Sequence, residues 1–248
     1  MSRDTPSARD RATLGRVTAR LPVFPLATVL FPGLVLPLHI FEERYRTLVR
    51  DLVGRPEGAP REFGVVAIRS GWEVAPDAGR AVPGGGEVVL HEVGCTAELR
   101  QVTELDDGGF NIVTVGRRRF RVVDVERDAG PYLTAEVEWL PEPAGADEVT
   151  ELLAARVIAV FRQYLGLVRP GEQEVSEQLP EDPTVLSHLV AATAALTVTD
   201  RQRLLAIDDT AARLRAELRL LNREAALLRQ VRAVPVPLSE LASPPVPN

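Results

Sequence analysis

The sequence predicts an α+β fold: a small, closed or semi-closed β-barrel interrupted by one helix, then a helical subdomain ending in a long helix. Three observations carry that expectation. Between residues 21 and 140, short alternating apolar runs bounded by Gly and Pro recur with one stretch of helical period among them. Beyond residue 147 the period changes to three and four and stays there. The 248 residues, 45% hydrophobic and 26% charged, amount to about one and a half ordinary globular domains, which fits a domain with a large annex.

Residues 1–20 are polar, Arg-rich and patternless, and are expected to be a disordered lead-in. Val23-Phe24-Pro25-Leu26, Val29-Leu30-Phe31 and Leu34 to Leu38 read as strands, with a turn at Pro32-Gly33. Pro22, Pro25 and Pro37 cannot donate ladder hydrogen bonds and belong at strand ends, edges or bulges. Phe41 to Val53 has the helical period, with Phe41, Tyr45, Leu48 and Leu52 on one stripe and Gly54 and Pro56 ending it. Phe63 to Ile68 is a strand, and the triple glycine within 76–86 marks a loop. Val93 to Leu105 and Phe110 to Val115 flank Asp106-Asp107-Gly108-Gly109, a hairpin signal. Phe120 to Val125 and Tyr132 to Leu140 continue the alternation.

Residues 141–147 read as a linker and 148–232 as the helical subdomain, with a Pro-rich tail over 233–248. Glu148 to Val168 has apolar residues on more than one face and should be broadly buried. Asp182-Pro183 pairs an N-cap with a proline at the first helical position. Thr199-x-x-Gln202 reads as a capping box opening one last helix that runs through Arg232. Its stripe, Leu204, Ile207, Ala211, Leu214, Leu218, Leu221, Ala225 and Leu228, is expected to pack on the helix at Glu148 to Val168 in a monomer, in preference to a coiled-coil dimer.

Composition excludes several chemistries. All 29 basic residues are arginine, so a P-loop, a Schiff base and a Ser-Lys nucleophile pair are excluded. Cys95 is the single cysteine, which removes internal disulfides and multi-Cys zinc sites. With no apolar leader and no run long enough to span a bilayer, the chain is expected in the cytoplasm, away from membranes. A formal charge of −6 gives no general attraction to nucleic acid.

Leu21 to Val49 (LPVFPLATVLFPGLVLPLHIFEERYRTLV) resembles the opening of the Lon protease N-terminal domain, the LON substrate-binding domain, in its short free-standing form. His91 to Val122 is similar to that family's second block, with an Asp-Gly hairpin and a Gly-Arg-x-Arg-Phe strand, and DPTVLSHLVAATAALTVTDRQRLLAI fits its helical part. Glu43 stands where free-standing members often have proline, and Cys95 where threonine is usual. The resemblance implies a PUA-like β-barrel with a helical subdomain, lacking ATPase and protease modules. It implies a non-catalytic module, free of cofactors, that captures unfolded or degron-bearing polypeptides, alone or as an adaptor to a separate protease or ATPase in protein quality control.

For a peptide site, Phe24, Phe31, Phe41 and Tyr45 would line an apolar groove, although core packing is the commoner use of such residues. Arg117 and Arg119 are the accompanying candidates for peptide contact. The alternative is RNA binding through the run Arg117, Arg118, Arg119 and Arg121, since PUA-like barrels include RNA binders. It is disfavoured by the neighbouring acids Glu98, Glu104, Asp124 and Glu126 and by the lack of interleaved aromatics. His91 and Cys95, four apart on one strand, invite a metal reading, but a buried thiol is the simpler one.

Overall fold

A computed structural model describes residues 18–70, 88–127, 130–142, 147–168 and 179–233. Most of the expected lead-in, the 76–86 loop and the Pro-rich tail lie outside them. The strands are β1 (Thr18–Leu26), β2 (Val35–Ile40), β3 (Glu62–Ser70), β4 (Val89–Leu90), β5 (Val93–Glu104), β6 (Phe110–Glu126) and β7 (Thr134–Trp139). They form one sheet in the order β1-β7-β6-β5-β3-β4, with β2 added to β6. A parallel pairing of β1 with β3, from Val23 opposite Gly64 to Leu26 opposite Ala67, closes the sheet on itself. The result is a five-strand barrel, β1-β7-β6-β5-β3, carrying β2 and β4 as outer additions.

The first strand changes partner halfway. Thr18 to Pro22 pair with β7, and Val23 to Leu26 pair with β3. The Val23 amide donates to Leu133 at 2.8 Å, on the β7 side. Alternation puts the Pro25 nitrogen on that same side, beyond the start of β7 at Thr134, so its missing proton breaks no ladder bond. Pro37 lies on β2, which among the described residues pairs only with β6 and is an edge strand.

Two expected strands, Phe110 to Val115 and Phe120 to Val125, are one 17-residue strand, β6. Its first half pairs with β2 and its second with β7, while β5 lines its other edge from Phe110 to Arg121. Register shifts on β5 and between Val122 and Asp124 let so long a strand bend around the barrel. Val29-Leu30-Phe31, expected as a strand, is a buried connection that enters the turn at Gly33, where φ is 80°. It passes so close to β6 that a Cβ on Gly116 would lie 2.1 Å from the Phe31 carbonyl oxygen.

α1 (Glu43–Val53) buries Tyr45, Leu48, Val49 and Leu52 on the barrel. It starts two residues later than expected, so Phe41 precedes the helix and is 50% exposed. The helical part is α2 (Glu148–Val168), α3 (Pro183–Thr193), α4 (Val198–Leu205) and α5 (Thr210–Ala233). Asp182 caps α3 by accepting from the Thr184 and Val185 amides. The expected single last helix is two, because the chain leaves the helix over 206–209. The cap of α4 is Thr197, accepting from the Asp200 amide, and not Thr199. Asp209 starts α5, its carboxylate accepting from the Ala212 amide.

One apolar core lies inside the barrel under α1, around Phe24, Tyr45, Phe63 and Ile112. A second joins α2 to α5, with Val157, Phe161 and Tyr164 against Leu214 and Leu221, and reaches the barrel through Phe31, Ala67 and Val93. A third, smaller core surrounds Phe120, where Gly64 and Gly94 leave room for the ring.

Candidate functional site

β2 is short, lies at the edge and has one side hydrogen-bonded to β6. Its alternation turns Val35, Pro37 and His39 outward, and cross-strand pairing sets each into a row. His39 is opposite Asn111, which is opposite Thr103, and Pro37 is opposite Val113, which is opposite Gln101. The His39 Nδ1–H donates to Asn111 Oδ1 at 2.9 Å, which holds the first row flat. These residues line a groove of about 380 Å³ with no Asp, Glu or Arg among them. In a chain that is 26% charged, such a face stands out.

Around the end of β2 lies a second, smaller cavity of about 80 Å³, lined by Phe24, Leu38, Phe41 and Tyr45 among others. Phe24 and Tyr45 stack at 3.7 Å between ring centroids and form its floor while belonging to the barrel core. Phe41 is its exposed wall, 6.1 Å from the His39 ring. Val35, 62% exposed, closes the other end of the strand. The fold therefore brings together three of the four aromatic candidates. Phe31 is elsewhere: fully buried and 6.2 Å from His188, it packs between the barrel and the helices.

The arginine run is divided where the alternation of β6 breaks, at the register shift between Gly116 and Arg119, so that Arg117 and Arg118 are exposed while Arg119 and Phe120 are buried. Arg117 forms an ion pair with Glu98, its Nε 2.9 Å from the carboxylate. Arg118 donates to Glu62 at 2.6 Å and stacks on Trp139, 3.8 Å from the ring centroid. Arg121 is 3.9 Å from Glu92, the loosest of these pairs. Arg119 is a correction to the sequence-based expectation. It points inward with no exposed surface and is not available to a peptide. Its guanidinium donates to the Glu142 carboxylate and to the carbonyls of Pro141, Leu205 and Ile207. It ties the barrel to the helices.

Cys95 is fully buried, and burial pushes its thiol far above the ordinary range, which leaves it inert as a nucleophile. Among the described residues no three His, Cys, Asp or Glu side chains gather as metal ligands, and no helix is long and apolar enough to cross a membrane. Sequence reasoning missed Val35, His39, Asn111, Gln101 and Thr103. The signal for them was the outward positions of a proline-bearing strand, but its pairing with β6 is non-local.

Residues 20–223 match the profile of the ATP-dependent protease La (LON) substrate-binding domain. The chain is 32% identical over 215 residues to Lon protease 2 of Sorangium cellulosum, covering 84% of this chain and 25% of that protein. It is 29% identical over 218 residues to the Lon protease of Anaeromyxobacter dehalogenans, covering 86% of this chain and 24% of that protein. It thus spans about a quarter of those proteases. Among solved structures, a Lon N-terminal domain protein from Xanthomonas campestris superposes with a TM-score of 0.55 at 28% identity, over 81% of this chain and 97% of that one. The N-terminal domain of Mycobacterium avium complex Lon protease shares the fold, with a TM-score of 0.58 at 21% identity over 84% of this chain and 98% of that one. With barrel, helical annex and more than two hundred matched residues in agreement, the chain belongs to the LON substrate-binding domain family.

Proposed function

We propose that this protein is a non-catalytic polypeptide-binding module that takes extended, unfolded segments onto the free edge of β2. The observation that carries the reading is the edge itself: a six-residue strand paired on one side, beside an uncharged outer face and flanked by exposed Val35 and Phe41. An added strand would satisfy its backbone groups along that edge, and alternate side chains would rest on the face and against Phe41. Membership in a substrate-binding domain family supports the same reading. A single short strand buries little surface, so affinity should be modest, about 10–100 μM.

On this reading the module carries out no bond-breaking step, works in the cytoplasm and presents clients to a separate protease or ATPase. Purified protein should neither hydrolyse ATP nor degrade casein. The binding test is calorimetry with a permanently unfolded polypeptide, such as reduced and carboxymethylated α-lactalbumin, against its native form. The unfolded form should bind, and the double variant Val35→Lys, Phe41→Lys should weaken it about tenfold, equivalent to about 1.4 kcal/mol. Equal binding of native and unfolded forms, or no effect of the double variant, would overturn the proposal.

A further inference from the structure

A second cleft, of about 290 Å³, lies at the seam between barrel and helices, away from the functions proposed above. Its walls carry Arg69 from β3, Arg121 from β6 and Arg203 from α4, together with His91, Glu92 and Thr199. We infer that this cleft is a binding site for a small multivalent oxyanion, one bearing at least two carboxylate or phosphoryl groups.

The charge balance points that way. Three guanidinium groups face one lining carboxylate, Glu92, which is 80% exposed and 3.9 Å from Arg121. Glu138, opposite Arg121 on β7, shares its face of the sheet but is not among the residues that line the cleft. The other nearby acid, Asp200, lies 3.6 Å from Arg203 but makes its shorter contact, 2.8 Å, with Arg223. His91 reports the resulting field: burial first, and the charge of Arg69 second, hold its ring below its ordinary range. Guanidinium groups recognise carboxylate and phosphoryl oxygens by paired hydrogen bonds, and three of them around one cavity suit a ligand with more than one such group.

The frame is rigid where it needs to be. Gln202, on the wall of the cleft and only 6% exposed, donates from Nε2 to the Val93 carbonyl at 2.8 Å and pins α4 to β5. Arg203 and Thr199 are thereby held opposite Arg69 and Arg121 on elements, not on loops. Thr199, in the first turn of α4, adds a hydroxyl to the wall of the cleft. A ligand here would bridge barrel and helices and so raise the stability of the whole chain by mass action.

Citrate and pyrophosphate are the two probes, titrated separately into the full chain by calorimetry at low ionic strength, with the His91 ring signal followed by NMR. Saturable binding of at least one, in the range of about 0.1–1 mM, is expected, with the His91 titration moving upward as the anion offsets Arg69. Citrate alone would assign a carboxylate ligand, pyrophosphate alone a phosphoryl ligand, and both a general oxyanion site. The exposed positions make Arg69→Gln, Arg203→Gln a foldable double variant, expected to bind at least about tenfold more weakly. Arg100→Gln, Arg229→Gln removes the same charge elsewhere and should stay within about twofold. Binding of neither probe, an unmoved His91 signal, or equal losses in the two double variants would overturn the inference.

Discussion

Arg119, in the middle of a barrel strand, donates through Nη1 to the carbonyl oxygen of Leu205 at 2.8 Å, across 86 residues of chain. Leu205 ends α4, and its carbonyl is one of those that a helix C-terminus leaves without an internal partner. The same nitrogen reaches Ile207, also at 2.8 Å, in the segment that separates α4 from α5. A side chain of the barrel thus caps a helix end in the annex. Glu142 completes the arrangement between Arg119 and Arg213, both of which are fully buried.

Replacing Arg119 by Met should therefore cost about 3–5 kcal/mol, because it removes one partner of a buried ion pair and leaves buried carbonyls unsatisfied. Arg119→Lys should recover less than half of that loss, since an ammonium cannot present the planar fork that reaches four acceptors. Urea unfolding measures both. A loss below about 1 kcal/mol for the Met variant would show that the junction is held by its apolar contacts alone.

Phe24 and Phe41 belong to the same small cavity but should separate cleanly on mutation. Phe24, 7% exposed and stacked on Tyr45, is core, and Phe24→Ala should cost about 3–5 kcal/mol. Phe41, half exposed, should change stability by no more than about 0.5 kcal/mol as alanine while weakening capture of unfolded polypeptide. Thermal unfolding and the calorimetric assay together decide it. If Phe41→Ala leaves binding unchanged, the end of β2 is not an anchor.

The buried charges of the annex predict a pH dependence. Glu217 is 1% exposed, and burial pushes its carboxyl from 4.5 up to about 8, although it accepts from Ser187 at 2.6 Å and faces Arg213. A carboxyl raised in the folded state contributes stability that is complete below pH 4.5 and is lost as pH rises through about 8. His188 has the opposite effect: burial, with Arg213 and Arg119 nearby, holds it at about 3 against an ordinary 6.5. Its contribution is complete above pH 6.5 and is lost as pH falls towards 3. Stability should therefore decline on both sides of mildly acidic pH. In Glu217→Gln the alkaline decline between pH 6.5 and about 8, on the order of 1 kcal/mol per pH unit, should flatten. Between 4.5 and 6.5, where the two groups offset each other in the parent, stability of the variant should rise with pH. Parallel pH profiles for the variant and the parent, measured by chemical denaturation, would show that Glu217 ionises without cost.

What could be read in the sequence was local. The hairpin at Asp106 to Gly109 declares itself because Gly108 adopts a φ of 77°, and Asp182-Pro183 marks the start of α3 by chemistry confined to four residues. α2 was legible at both ends from the run of its apolar pattern over Glu148 to Val168. The break over 206–209 was not, because the apolar spacing keeps its phase from Leu204 to Leu214, and one stabilising partner of the break, Arg119, lies far away in sequence. Arg119 itself was misread for a related reason. In a run of arginines nothing local says which one the strand turns inward. The β2 edge is a matter of topology: Pro37 suggested an edge, but only the pairing of β2 with half of β6 shows which outward residues form a face.

The stripe along α5 tests whether the annex is complete in one copy of the chain. Leu214 and Leu221 are buried, Leu218 is partly buried, and all three belong to the core shared with Val157, Phe161 and Tyr164 of α2. Leu227, outside the stripe, is 49% exposed. If packing is internal, cost follows burial. Leu214→Ala should lose about 2–5 kcal/mol, Leu218→Ala clearly less, and Leu227→Ala no more than about 0.5. A coiled-coil seam between two copies would instead need exposed leucines, and its loss would change mass before stability. On a sizing column with light scattering, the parent chain and Leu214→Ala should both elute as monomers, with only the midpoint of unfolding displaced. A parent dimer that Leu218→Ala or Leu227→Ala converts to a folded monomer would reverse that conclusion, because those side chains would then be covered by a second copy.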